Sequence, residues 1–102
     1  MTLAIDLDGV VHDYKNPLEG RKYGLPIEGA KEALSRFRRD GHKILIHTAK
    51  AQTEAGRCAV IDWLHYYEIP FDDVHGKINA DVYLDDRAVR FETWGQVDLT
   101  NL

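Results

Sequence analysis

The sequence predicts a Rossmann-like α/β fold, a three-layer α/β/α sandwich around a mostly parallel sheet. Short apolar runs alternate with amphipathic helical stretches, acidic or hydroxyl residues stand at the ends of those runs, and 102 residues suffice for one hydrophobic core. We read residues 1–102 as a single domain.

Leu3 to Leu7 is apolar except for Asp6 and ends at the turn-forming pair Asp8-Gly9, so it reads as a buried strand with acid at its carboxyl end. From Gly9 to Pro26, Asn16-Pro17, Gly20, Gly24 and Pro26 punctuate the chain and predict a loop or small flap. Ile27, Ala30, Leu34 and Phe37 recur at helical spacing, with charged residues opposite and Gly41 just past the end. Lys43 to His47 reads as a second strand and Thr48 to Gln52 as a loop. A second helix begins near Thr53, carries Val60, Trp63, Leu64 and Tyr67 on one stripe, and is closed by Pro70. Asp73 to His75, Asp81 to Leu84 and Ala88 to Phe91 complete the strand candidates. Strands alternating with helices imply right-handed crossovers and a sheet covered on both faces.

Composition narrows the function. A formal net charge of −4 gives no broad basic footprint, so neither an extended nucleic-acid surface nor a membrane partner is expected. Cys58 is the single cysteine, which excludes an intramolecular disulfide and a paired-cysteine zinc site. With no signal-like or membrane-spanning run at the amino terminus, we expect a cytoplasmic protein.

Ligands of open α/β sheets bind beyond the carboxyl ends of the strands, where Asp6, Asp8, Thr48, Asp85 and Asp86 are expected to emerge. Asp6 and Asp8 are two residues apart, so extended backbone projects both to one face. One carboxylate can attack phosphorus while the other protonates the leaving oxygen and later deprotonates water. Two carboxylates repel a phosphate unless cations intervene, which calls for a hard metal with oxygen ligands; Mg2+ suits Asp6, Asp8, Asp85 and Asp86. Thr48 and Lys77 can bind the phosphoryl oxygens.

These residues resemble the haloacid dehalogenase (HAD) superfamily of phosphatases across nearly the whole chain. Its first motif is similar to Asp6-Leu7-Asp8-Gly9-Val10, its second to Ile44-Leu45-Ile46-His47-Thr48, its third to Lys77, and its fourth to Val82-Tyr83-Leu84-Asp85-Asp86. The resemblance implies a HAD-like phosphoric monoester hydrolase with Asp6 as nucleophile and metal ligand, and Asp8 as acid/base that offers its backbone carbonyl to magnesium. It further implies Thr48 and Lys77 as phosphoryl binders and Asp85 with Asp86 as the rest of the metal site. Lys50 departs from the arginine common in similar second motifs but could still meet substrate, and Ile78 departs from the proline that often follows the third-motif lysine. The flap is too short to hold a cap, which implies a compact capless member with an uncovered site. Such a site suits a phosphorylated small molecule or polymer end, or closure by a second copy in a homo-oligomer.

The histidines form no spaced metal set. His12 reads as a flap histidine, solvated or touching substrate, His47 as packed or hydrogen-bonded, and His42, His65 and His75 as peripheral. Lys15, Asn16 and Arg21 are flap candidates for recognising the leaving group. Two alternatives share the fold class: a phosphorylatable signalling receiver, whose acids occur in a different order along the chain, and a non-catalytic metal- or phosphate-binding module.

Overall fold

The computed structural model describes residues 1–101. Three strands, β1 (Thr2–Asp6), β2 (Lys43–Thr48) and β3 (Asp73–Gly76), form a parallel sheet in the order β1-β2-β3. Helix α1 (Ala30–Arg39) connects the first pair and α2 (Glu54–Tyr66) the second. The register aligns Ile5 with Ile46, and Ile46 with Val74. Together with Ile44, these residues form the buried face of the sheet, packed in one core with Leu34, Phe37, Val60, Trp63 and Leu64 of the helices.

Two expectations require correction. The sheet is not covered on both faces: along β2, Ile44, Ile46 and Thr48 are buried while Lys43 is exposed and Leu45 and His47 are half-buried. Both crossovers step across the sheet in one direction, so right-handed connections put α1 and α2 on the same side. The strands expected at Asp81 to Leu84 and Ala88 to Phe91 do not form, and residues 81 to 90 are all exposed. Tyr83 is engaged locally instead. Its hydroxyl donates to the Ile78 carbonyl and accepts the Ala80 N–H at 3.2 Å, while its ring lies 4.0 Å from the Lys77 ammonium. Beyond this arm the chain returns to the core through Trp94, which is buried and donates from Nε1 to the Val10 carbonyl at 2.8 Å.

Both helices carry defined end signals. Thr53 caps α2, its hydroxyl accepting the Gly56 N–H at 3.1 Å. The carboxyl ends of α1 and α2 close in Schellman turns, with His42 N–H on the Phe37 carbonyl and Ile69 N–H on the Leu64 carbonyl. Arg57 then fastens α2 to β3, donating from Nε to the Val74 carbonyl at 3.0 Å and from its terminal nitrogen to Asp73 at 2.9 Å. Among the described residues, no helix is long and apolar enough to cross a membrane.

The first turn of α2 lies against the residues that follow β2. A Cβ on Gly56 would sit 1.9 Å from the Lys50 carbonyl oxygen, so only glycine allows this approach. Gly56→Ala is expected to destabilise the fold by about 1–3 kcal/mol or more, because backbone rather than a flexible side chain must yield. A urea-unfolding midpoint equal to that of the parent protein would contradict this packing.

Candidate functional site

Parallel pairing brings the carboxyl ends of the strands to one edge. Asp6 pairs with His47, His47 with His75, and Thr48 with Gly76, so Asp6, Thr48 and the start of the Lys77 segment share that edge. Asp6 Oδ1 accepts the Leu7 N–H at 3.0 Å, and Lys77 Nζ stands 3.7 Å from Asp6 Oδ2. Lys77 is held by its own backbone, whose N–H donates to the Thr48 carbonyl at 3.0 Å. Thr48 is buried and its hydroxyl accepts the Lys50 N–H at 3.2 Å. A hydroxyl that accepts one bond keeps its proton to donate to a phosphoryl oxygen.

Asp8 is clamped on both carboxylate oxygens. His12 Nδ1 lies 2.7 Å from Oδ1, and the Lys50 ammonium contacts Oδ2. Burial by itself would raise the Asp8 pKa, but hydrogen bonds from His12 and Lys50, with the Lys50 charge, outweigh it and hold the carboxyl below its ordinary value. Burial of Tyr23, and second the Asp8 charge nearby, push the pKa of its hydroxyl up. His47 is half-buried beside Asp6 and Lys77. Burial first and the Lys77 charge second lower its pKa, against an opposing contribution from Asp6.

His12 overturns its sequence reading. It is wholly buried rather than solvated, with its ring edge-on between Tyr23 at 5.1 Å and Trp63 at 5.0 Å. The Leu7 carbonyl gathers the N–H groups of Val10, Val11 and His12, and this tight turn drives Val11 and His12 inward. The flap candidates separate. The Asn16 amide is tied to Asp13 at 3.0–3.1 Å and Lys15 leans over Tyr14, whereas Arg21 lines a cavity of about 370 Å³ between the flap and α2, with Tyr23, Trp63 and Tyr66.

Asp85 and Asp86 are not gathered with the others. They stand in the exposed arm, where Asp85 Oδ1 accepts the Arg87 N–H at 2.7 Å. Among the described residues, no group of three or more carboxylate, imidazole or thiol side chains could hold a metal ion. Asp6 and Asp8 offer two hard oxygen donors of the kind magnesium takes, and Asp85 and Asp86 do not join them. The charges that balance them are Lys77 and Lys50.

No protein-family model and no curated protein matches the chain. A crystal structure of a structural-genomics target from Vibrio cholerae is similar to it, with 28% sequence identity and a TM-score of 0.69 over 98% of this chain and 91% of that one. The likeness extends along almost the full length of both chains and supports an α/β fold of the Rossmann-like kind.

Proposed function

We propose that the chain is a capless HAD-like phosphatase that hydrolyses a phosphomonoester through an aspartyl-phosphate on Asp6. One observation carries this reading: the first strand ends in two carboxylates of different environment, Asp6 facing Lys77 at 3.7 Å and Asp8 held by His12 and Lys50. Pairs of acids whose surroundings set them apart suit nucleophile and acid/base roles.

In the first step an Asp6 oxygen attacks phosphorus, the ester P–O bond breaks, and the leaving oxygen takes a proton from Asp8. In the second, Asp8 as carboxylate takes a proton from water, the water oxygen bonds to phosphorus, and the Asp6–phosphorus bond breaks to release inorganic phosphate. Lys77 and the Thr48 hydroxyl stabilise the equatorial oxygens. Lys50 on Asp8 Oδ2 is positioned to turn its ammonium toward the incoming phosphoryl group.

In this reading Asp6 and Asp8 are the residues that would hold magnesium, as hard oxygen donors, while Asp85 and Asp86 stand in the exposed arm away from them. When bound it would supply charge neutralisation for the phosphoryl group. The open site suits a phosphorylated small molecule or polymer end, and the single cysteine, Cys58, is a free thiol compatible with a reducing cytoplasm.

The test is a screen of the full chain against sugar phosphates, nucleotides and phosphorylated polymer ends, with magnesium and with chelator. Multiple turnover with release of inorganic phosphate is expected. A single persistent phosphorylation would favour a receiver instead, and no phosphorylation by any substrate in the screen or by a small acyl phosphate would reject both.

A further inference from the structure

The buried imidazole behind Asp8 has a defined proton. The Gly24 backbone N–H points at His12 Nε2 from 2.8 Å, and an amide N–H can only donate, so Nε2 carries no hydrogen. The ring hydrogen is therefore on Nδ1 and is donated to Asp8 Oδ1 at 2.7 Å. Protonating Nε2 as well would set two donors against each other in a site without exposed surface.

Gly24 is itself immobilised. Its carbonyl accepts the Trp63 Nε1–H at 3.1 Å, and a Cβ at this position would lie 2.4 Å from the Asp13 carbonyl oxygen and 2.6 Å from that of Asn16. Helix α2, the base of the flap, His12 and Asp8 thus form one continuous hydrogen-bonded chain. Tyr23 and Trp63 pack edge-on against the ring at 5.1 and 5.0 Å.

We propose that His12 is a positioning residue, locked as the neutral Nδ1–H tautomer by the flap backbone, that aims Asp8 and reserves Oδ2 as its proton-transferring oxygen. Oδ1 is occupied by a fixed donor, whereas the Lys50 ammonium on Oδ2 sits on a flexible stem and can exchange for a leaving group or water. The kinetic consequence rests on the phosphatase reading, but the tautomer does not.

Two arms separate these. In the first, nitrogen NMR of the full chain labelled at histidine should show His12 with a protonated Nδ1 and a bare Nε2 at neutral pH. An Nε2–H tautomer or an imidazolium overturns the proposal whether or not the protein turns over substrate. In the second, His12→Asn keeps an amide donor near the position of Nδ1, and His12→Gln keeps a carbonyl near that of Nε2 to receive Gly24 without serving Asp8. With the best substrate from the screen, kcat of His12→Gln should fall roughly 100-fold with KM within about threefold, the scale of a misaimed catalytic group, and His12→Asn should recover about tenfold of the loss. Equal kcat in the parent and both variants overturns the aiming role. A parent that hydrolyses nothing counts against the phosphatase reading alone, and variants that fail to fold leave the NMR arm decisive.

Discussion

Asp6→Asn should abolish turnover, lowering kcat on the order of 10⁴–10⁶-fold, the range expected when a covalent nucleophile is removed. The substitution is otherwise conservative. An asparagine oxygen can still accept the Leu7 N–H that Asp6 Oδ1 receives at 3.0 Å, and the side chain keeps its place at the end of β1. What it loses is the negative oxygen facing Lys77 at 3.7 Å, hence both the nucleophile and its attraction for that ammonium. Asp6 is half-buried and the pair is partly solvated, so the thermal midpoint should shift by no more than a few degrees. Rapid-quench labelling with a phosphorylated substrate should give acid-stable, base-labile phosphate on the parent chain and none on the variant. Turnover by purified Asp6→Asn at more than about a hundredth of the parent rate would remove Asp6 from the nucleophilic role.

Where a residue's environment is set by local pattern, the sequence was sufficient to place it. The β2 strand is readable because Ile44-Leu45-Ile46 is a short continuous apolar run rich in β-branched residues, and α2 because Thr53 caps it and its apolar stripe recurs at helical spacing. Asp6, Asp8, Thr48 and Lys77 were legible because strand ends in a parallel sheet share an edge. The arm from 77 to 93 was not legible. Val82, Tyr83 and Leu84 favour a strand, but strand propensity acts only where an edge accepts the segment, and here Tyr83 folds back onto Ile78 and Lys77. Asp85 and Asp86 follow that arm and so stand apart from the first-strand acids. His12 was missed for the opposite reason. It follows a turn and precedes a flap, which reads as solvated, yet its burial depends on contacts with Tyr23, Gly24 and Trp63 that lie far along the chain. The run Val10-Val11 before it, apolar beyond the Asp8-Gly9 turn, was the available signal that the chain re-enters the core. For Lys50 the sequence offers a departure from arginine that could still meet substrate; its contact with Asp8 comes from the short 3₁₀ turn Ala49–Gln52, packed beneath Gly56.

Asp8→Asn is expected to slow both formation and hydrolysis of the phosphoenzyme, by about 10²–10⁴-fold in each step, the contribution of a positioned acid/base. Its asparagine oxygen can retain the bond from His12 Nδ1–H, but its amide nitrogen then confronts the Lys50 ammonium, donor against donor. The two steps should respond differently to pH in the parent protein. Burial works to raise the Asp8 pKa, His12 and Lys50 outweigh it, and the net result lies below the ordinary value of 3.8. Asp8 is therefore a carboxylate at neutral pH, ready as base for the second step and depleted as acid for the first. For alkyl phosphates, whose leaving oxygen needs a proton, kcat/KM should rise as pH falls toward that depressed pKa for as long as the fold persists. Aryl phosphates, with acidic leaving groups, should show a much weaker rise and a smaller loss of phosphoenzyme formation in Asp8→Asn. The same shift has a stability consequence of fixed sign: a depressed carboxyl stabilises the fold above its unfolded pKa, and that contribution disappears as pH falls through the folded one. Single-turnover rates on a matched alkyl and aryl pair decide the assignment. If Asp8→Asn slows formation equally for both, Asp8 does not protonate the leaving group; if it leaves phosphoenzyme hydrolysis unchanged, Asp8 does not activate water.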